Sequence, residues 1–167
     1  MSGAANRVFV ALGSNLGDSR RIIQEAFKRL EAFSQGPVVC SSLWSSTPVD
    51  CPPGSGDFIN AVAGFAPLES ETPELLLKKL QELEKEFGRR PKQVMNEARP
   101  LDLDLVAWGT EMRNGPDLTL PHPRAHLRRF VLEPLAEIAP EFIFPGQEKT
   151  VRELLLSVRS SETVQRV

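Results

Sequence analysis

Residues 99–108 read Arg99-Pro100-Leu101-Asp102-Leu103-Asp104-Leu105-Val106-Ala107-Trp108. Alternate side chains of a strand share a face. Leu101, Leu103 and Leu105 then point into a core, while Asp102 and Asp104 stand together on the opposite face. Their Cα atoms would lie roughly 6.6 Å apart, twice the rise of a strand. Aspartate is a poor strand former, so two in one strand call for a reason. Like charges held that close repel each other unless a cation sits between them. Mg2+ suits the position, since it binds through one or two carboxylates plus water and phosphate oxygens. Two such ions roughly 3.5–4 Å apart can clamp both ends of a displacement. The bland alternative is a half-exposed strand whose wet face happens to be acidic.

Working outward, the rest of the chain has a legible order. Arg7 to Leu12 is a β-branched and aromatic run ending at Gly13, hence a strand. Asp18 caps a helix whose apolar residues run from Ile22 to Phe33, and Gly36-Pro37 stops it. Val38 to Ser46 and Phe58 to Phe65 are further strands, separated by a long Pro/Gly-rich loop from Thr47 to Gly56. Thr72 caps and Pro73 opens a second helix with a Leu76, Leu80, Leu83 and Phe87 stripe, closed by Gly88. Arg89 to Arg99 is a second long loop, and Leu101 to Trp108 the fourth strand.

Strand, helix, strand, strand, helix, strand is the order of an α+β fold with a ferredoxin-like βαββαβ core. A C-terminal extension of short strands and helices follows. It contains a Pro121-His122-Pro123 turn, a helix near Phe130 to Ile138, and a last helix opened by the capping box of Thr150 and Glu153. The expectation is a single domain over residues 1–167, with a loose tail from about residue 160.

Composition narrows the function. The chain has 167 residues, 41% of them hydrophobic, enough for one real core. Its 20 basic and 22 acidic residues nearly cancel and form no basic stripe, which argues against duplex nucleic acid as a partner. Cys40 and Cys51 lack metal-ligand spacing and read as free thiols of a reducing cytoplasm. Neither a signal peptide nor a bilayer-spanning run is visible, so a cytoplasmic protein is expected. Arginines do crowd the acidic strand: Arg89, Arg90 and Arg99 before it, Arg124, Arg128 and Arg129 after it. Carboxylates for metal and arginine forks for phosphate oxygens are the equipment of phosphoryl transfer. For any single arginine the ordinary alternative is a solvated surface residue.

Several short pieces, in one order and spacing, resemble the 6-hydroxymethyl-7,8-dihydropterin pyrophosphokinases of the folate pathway. They are Ala11-Leu12-Gly13-Ser14-Asn15-Leu16-Gly17, Ser46-Thr47-Pro48, Phe58-Ile59-Asn60-Ala61, and Glu84 with Gly88-Arg89. Arg99 to Asp104, Pro121-His122-Pro123-Arg124, and Arg128 to Val131 complete the set.

The resemblance implies an ATP-dependent diphosphotransferase, with ATP as co-substrate, two Mg2+ ions on Asp102 and Asp104, and a pterin acceptor. It implies that Phe58 and Phe130 sandwich the pterin ring, and that Asn60, Thr47 and Pro48 read its edge. The ATP set it implies is Gln81, Glu84, Arg89, Lys92, Arg99, Leu105, Thr119, His122 and Arg128, with Arg89 and Arg99 also catalytic. Gln81 and Glu84 fall three apart on the second helix, on one face away from its leucines. Read from the residues alone, both phenylalanines suit core packing, the Gln81–Glu84 pair a solvated helix face, and His122 a structural turn. The two long loops would act as lids. Where many relatives carry Trp-Gly-Pro, this chain has Asn96-Glu97-Ala98, which alters lid packing; some place tyrosine at Phe58, which keeps stacking but adds a hydroxyl.

The expected state is a monomer without a membrane or nucleic-acid partner. Two other classes stay open: a transferase acting on another small alcohol, and a non-catalytic ferredoxin-like binding module. The first predicts turnover of a different acceptor. The second predicts ligand binding indifferent to magnesium.

Overall fold

A computed structural model of the chain describes residues 7–47, 56–88, 100–159 and 163–167. The strands are β1 (Val8–Ser14), β2 (Val39–Cys40), β3 (Trp44–Ser46), β4 (Phe58–Phe65), β5 (Asp102–Trp108), β6 (Arg113–Asn114), β7 (Thr119–Leu120) and β8 (Val164–Arg166). The helices are α1 (Ser19–Leu30), α2 (Pro73–Glu86), α3 (Arg129–Ile138) and α4 (Val151–Ser157). The main sheet runs β5-β1-β4-β3-β8, with β2 also pairing β4, and every pairing in it is antiparallel. β6 and β7 form a separate hairpin.

Parity along the strands sorts the core into two apolar layers. Val8, Val10 and Leu12 of β1 join Leu101, Leu103 and Leu105 under α1 and α2. Phe9, Val62 and Val106 join α3, α4, Phe142 and Phe144 on the other face. Leu101, Leu103 and Leu105 are buried while Asp102 and Asp104 between them are half-exposed, the expected alternation. Helix ends follow side-chain chemistry. Thr72 accepts the Leu75 N–H at 3.2 Å, and Thr150 and Glu153 close a reciprocal capping box. Among the described residues no helix is long and apolar enough to cross a membrane.

Four features depart from the sequence expectation. Val38 to Ser46 is not one strand. Cys40 pairs with Ala63 and Trp44 with Asn60, so this side carries one extra residue. There the Ser41 hydroxyl oxygen accepts the Val62 N–H at 2.9 Å, standing in for a ladder carbonyl. Second, β5 is bulged at Val106, since Val10 pairs with Leu105 but Phe9 with Ala107.

Third, Glu84 does not sit on a face away from the core. It is 9% exposed, and its carboxylate accepts the Leu103 N–H at 2.7 Å, because a β5 amide faces α2 at that point. Fourth, the tail is not wholly loose. Residues 164–166 pair with β3, a strand made by its partner's edge rather than by any local pattern.

The Glu84 bond gives a stability test. Glu84→Ala strands a buried backbone donor and should lower unfolding free energy by about 1–3 kcal/mol in urea titration. An unchanged midpoint would show that water replaces the carboxylate.

Candidate active site

β1 lies between β4 and β5, so its register sets what stands side by side on the α3 face of the sheet. Gly13 pairs with Asp102 on one side and with Asn60 on the other. Ala11 likewise pairs with Asp104 and Val62. Asp102, Gly13 and Asn60 therefore form one row, and Asp104 the next row over. Adjacent strands sit about 4.8 Å apart, so the Asp102 and Asn60 backbones are separated by about 10 Å. The residue between them has no side chain. A Cβ on Gly13 would meet the Asn60 Nδ2 at 3.4 Å and the Phe58 ring at 3.7 Å. Glycine leaves the floor between the carboxylates and Asn60 open.

Phe58 shares the Asn60 face by strand parity and is half-buried, as is Phe130 in the first turn of α3. α3 packs across β4 and β3, which brings Phe130 to the same side of the sheet. The Arg128 guanidinium lies 5.4 Å from the Phe130 ring centre, a cation–π contact that holds its charge beside the aromatic wall. Asn60 is buried, and its Oδ1 accepts the Ser46 hydroxyl at 2.6 Å.

At the outer edge of β5 a cleft of about 240 Å³ is lined by Leu77 of α2, Asp104, Leu105, Thr119, His122 and the 116–118 turn. Four residues of the expected ATP and metal sets, Asp104, Leu105, Thr119 and His122, thus meet in one place. The bulge explains how. The Val106 carbonyl accepts the His122 N–H at 2.8 Å, which docks the Pro-His-Pro turn against β5. Arg113 of β6 bonds Glu74 of α2 at 2.6 Å and Glu111 at 2.8 Å, which ties the β6–β7 hairpin to α2.

His122 takes an unexpected role in its turn. Its Nδ1 accepts the Arg124 N–H at 3.1 Å, so the neutral ring carries its proton on Nε2. Burial, then the Arg128 charge, push its pKa down to about 4; Asp102 opposes this and Arg124 adds to it. At neutral pH the imidazole is an uncharged Nε2–H donor.

Other expected residues lie elsewhere. Gln81 is exposed one turn beyond Leu77 on α2, and Glu84 faces Leu103 from the opposite side of β5. Thr47 is tied to Thr163. Arg124 is exposed, and Arg129 turns toward Glu133 at 3.6 Å and the Val158 carbonyl at 3.3 Å. Pro48, Cys51, Arg89, Arg90, Lys92 and Arg99, with the bulk of both long loops and the Asn96-Glu97-Ala98 departure, lie outside the described residues. Sequence reasoning missed Ser46 and the cleft wall at 116–118. The turn signal Asn114-Gly115-Pro116-Asp117 could have located that wall.

The donor set fits magnesium held jointly with a substrate. Two carboxylates share a face, and no group of three or more metal-ligating side chains exists among the described residues. An ion there would complete its shell with water and phosphate oxygens.

Residues 9–140 match the family model of 7,8-dihydro-6-hydroxymethylpterin-pyrophosphokinase, HPPK. The chain belongs to the HPPK family. It is 40% identical over 147 residues to a Pseudomonas aeruginosa 2-amino-4-hydroxy-6-hydroxymethyldihydropteridine pyrophosphokinase, covering 83% of this chain and 84% of that protein. The Haemophilus influenzae protein of the same name is 37% identical over 142 residues, 84% of this chain and 86% of that one. Among solved structures, a Plasmodium falciparum HPPK-DHPS superposes with a TM-score of 0.70 at 13% identity. That likeness concerns the fold alone, and it covers 90% of this chain but 45% of the larger one.

The imidazole geometry sets a pH prediction for the ligand-free chain. His122 should titrate near pH 4 in NMR, with its proton on Nε2 above that. Its folded pKa lies below the ordinary 6.5, so between about 6.5 and 4 the unfolded chain binds the proton first. Acid in that window weakens the fold, and above it the ring adds no pH dependence. Titration near 6.5 would contradict the burial.

Proposed function

We propose that this chain transfers the pyrophosphoryl group of ATP to the 6-hydroxymethyl oxygen of 6-hydroxymethyl-7,8-dihydropterin, releasing AMP, as a step of folate biosynthesis. The observation that carries this is the row Asp102–Gly13–Asn60. It puts a carboxylate pair and a buried amide about 10 Å apart on one open floor, two strand spacings. That span suits a flat heterocycle at one end and a polyphosphate at the other.

In this proposal Phe58 and Phe130 stack on the pterin, and Asn60 with Thr47 and Pro48 reads its hydrogen-bonding edge. Asp102 and Asp104 hold two Mg2+ ions, which when bound neutralise phosphate charge and lower the barrier for the attacking oxygen. Glu84 holds Leu103, the residue between the two aspartates, and so steadies the pair. The His122 Nε2–H donates to a phosphate oxygen without adding charge. Arg128 supplies charge beside Phe130, and Arg89, Lys92 and Arg99 carry the remaining phosphate contacts. Leu105, Thr119 and Gln81 line the path of the nucleotide around the edge of β5.

The pterin oxygen bonds to the β-phosphorus as the bond from that phosphorus to the α–β bridging oxygen breaks. AMP takes that bridging oxygen, and the hydroxymethyl proton leaves to solvent. Catalysis of this kind rests on positioning and charge neutralisation, and no side chain is assigned as general base.

We also read the order β5-β1-β4-β3 as the ferredoxin-like split βαβ arrangement, supported by antiparallel pairing and by α1 and α2 sharing one face. The protein acts in this reading as a cytoplasmic monomer.

Mixing the protein with ATP, Mg2+ and the pterin alcohol should release AMP. Asp104→Ala should cut that release about a thousandfold or more while the fold survives, since a metal clamp supplies several kcal/mol. Near-normal AMP from that variant would sink the metal assignment. Magnesium-independent binding without turnover would favour a sensor.

A further inference from the structure

We propose that Ser46 is a positioning residue for pterin recognition and that the C-terminal strand β8 keeps it in place. This rests on Asn60 reading the pterin edge. Ser46 is 3% exposed and on the Asn60 face, because it pairs with Phe58 two residues away on β4. Its hydroxyl donates to the Asn60 Oδ1 at 2.6 Å. With that end anchored, the Nδ2 end lies on the Gly13 side, toward the open floor. A buried amide anchored at one oxygen offers its two N–H donors to a ligand in one orientation. Released from Ser46, it could rotate and offer an acceptor instead.

β3 has three residues, too short to hold its own register. It is held from both sides. β4 pairs along one edge, and β8 covers the other with Trp44, Ser45 and Ser46 opposite Arg166, Gln165 and Val164. The Thr47 N–H donates to the Thr163 carbonyl at 3.1 Å, and the Thr163 N–H returns to the Thr47 hydroxyl at 3.1 Å. At the other end the Val167 N–H donates to the Leu43 carbonyl at 2.9 Å. Bonded pairs alternate along an antiparallel ladder, so Gln165 opposite Ser45 is also a bonded position.

A second tie joins the same elements to α3. Ser42 and Trp44 donate to the Glu137 carboxylate at 2.8–2.9 Å, and Arg166 of β8 lies 3.5 Å from it. Burial opposes the Glu137 charge, but the bonds from Trp44 and Ser42 and the Arg166 charge hold its pKa below the ordinary range. α3 begins at Arg129 and carries Phe130, so one network braces the amide and the helix of the second aromatic.

The test uses the full chain and two readouts. In the ligand-free protein, an NMR cross-relaxation signal should link the Asn60 side-chain NH2 to the Gly13 α-protons. Ser46→Ala should abolish it and raise KM for the pterin alcohol about tenfold, the loss of one buried hydrogen bond. KM for ATP and kcat should hold, since the contact is a uniform one. Ser46→Thr, which keeps the hydroxyl, should restore both readouts. Gln165→Pro removes a ladder donor in mid-β8 and should mimic Ser46→Ala, with the double variant no worse.

Persistence of the cross-relaxation signal, or an unchanged pterin KM, in Ser46→Ala overturns the role of Ser46. Wild-type behaviour of Gln165→Pro overturns the role of β8. A wild-type chain that yields no AMP, yet loses the signal in Ser46→Ala, refutes the functional reading and leaves the anchoring of Asn60 standing.

Discussion

The register of β1 between its two antiparallel neighbours is the constraint on which the site depends. It is fixed by leucines rather than by the functional residues. A one-residue slip of β5 would turn Leu101, Leu103 and Leu105 to solvent, each worth about 1.5–3 kcal/mol when buried. The same slip would drive two carboxylates into an apolar layer, at several kcal/mol per charge. These penalties act together, so the aspartates are held on the α3 face by what lies behind them. Gly13 then stands between Asp102 and Asn60, one strand from each.

Two interruptions of regular pairing shape the rest. At Val106 the bulge puts two successive residues, Val106 and Ala107, into one apolar layer, and Trp108 returns to the other. It also turns a carbonyl outward to receive the His122 N–H. Near Ser41 the extra residue divides β2 from β3, and the Ser41 hydroxyl repairs the missing ladder bond. Bulges commonly re-aim side chains beside functional sites. Here one docks the imidazole turn, and the other precedes the short strand that carries Ser46.

Much of this was legible in the sequence wherever the determinant was local. The Leu-Asp alternation announced the two faces of β5, Thr72-Pro73 opened α2, and Thr150 with Glu153 opened α4. Phe58 and Asn60 were joined in the sequence only by the resemblance; their common face follows from parity along β4. What could not be read depends on partners distant in the chain. Glu84 looks like a solvated helix residue until the Leu103 N–H, nineteen positions on, is found facing it. β8 has no periodicity and exists because β3 offers an edge. The His122 tautomer follows from one backbone N–H in its own turn, and its depressed pKa from burial and Arg128. Ser46 ends an expected strand and belongs to the Ser46-Thr47-Pro48 piece of the resemblance, but nothing local marks it as the partner of Asn60, fourteen positions on.

Paramagnetic relaxation by Mn2+ tests the central claim most directly. In 15N-labelled protein with ATP, substoichiometric Mn2+ should broaden the amides of Asp102, Asp104, Ala11 and Gly13 most strongly, with the effect fading toward Val8 and Leu30. Broadening centred elsewhere, or one that spares Gly13, would contradict a site in which those two carboxylates hold the metal.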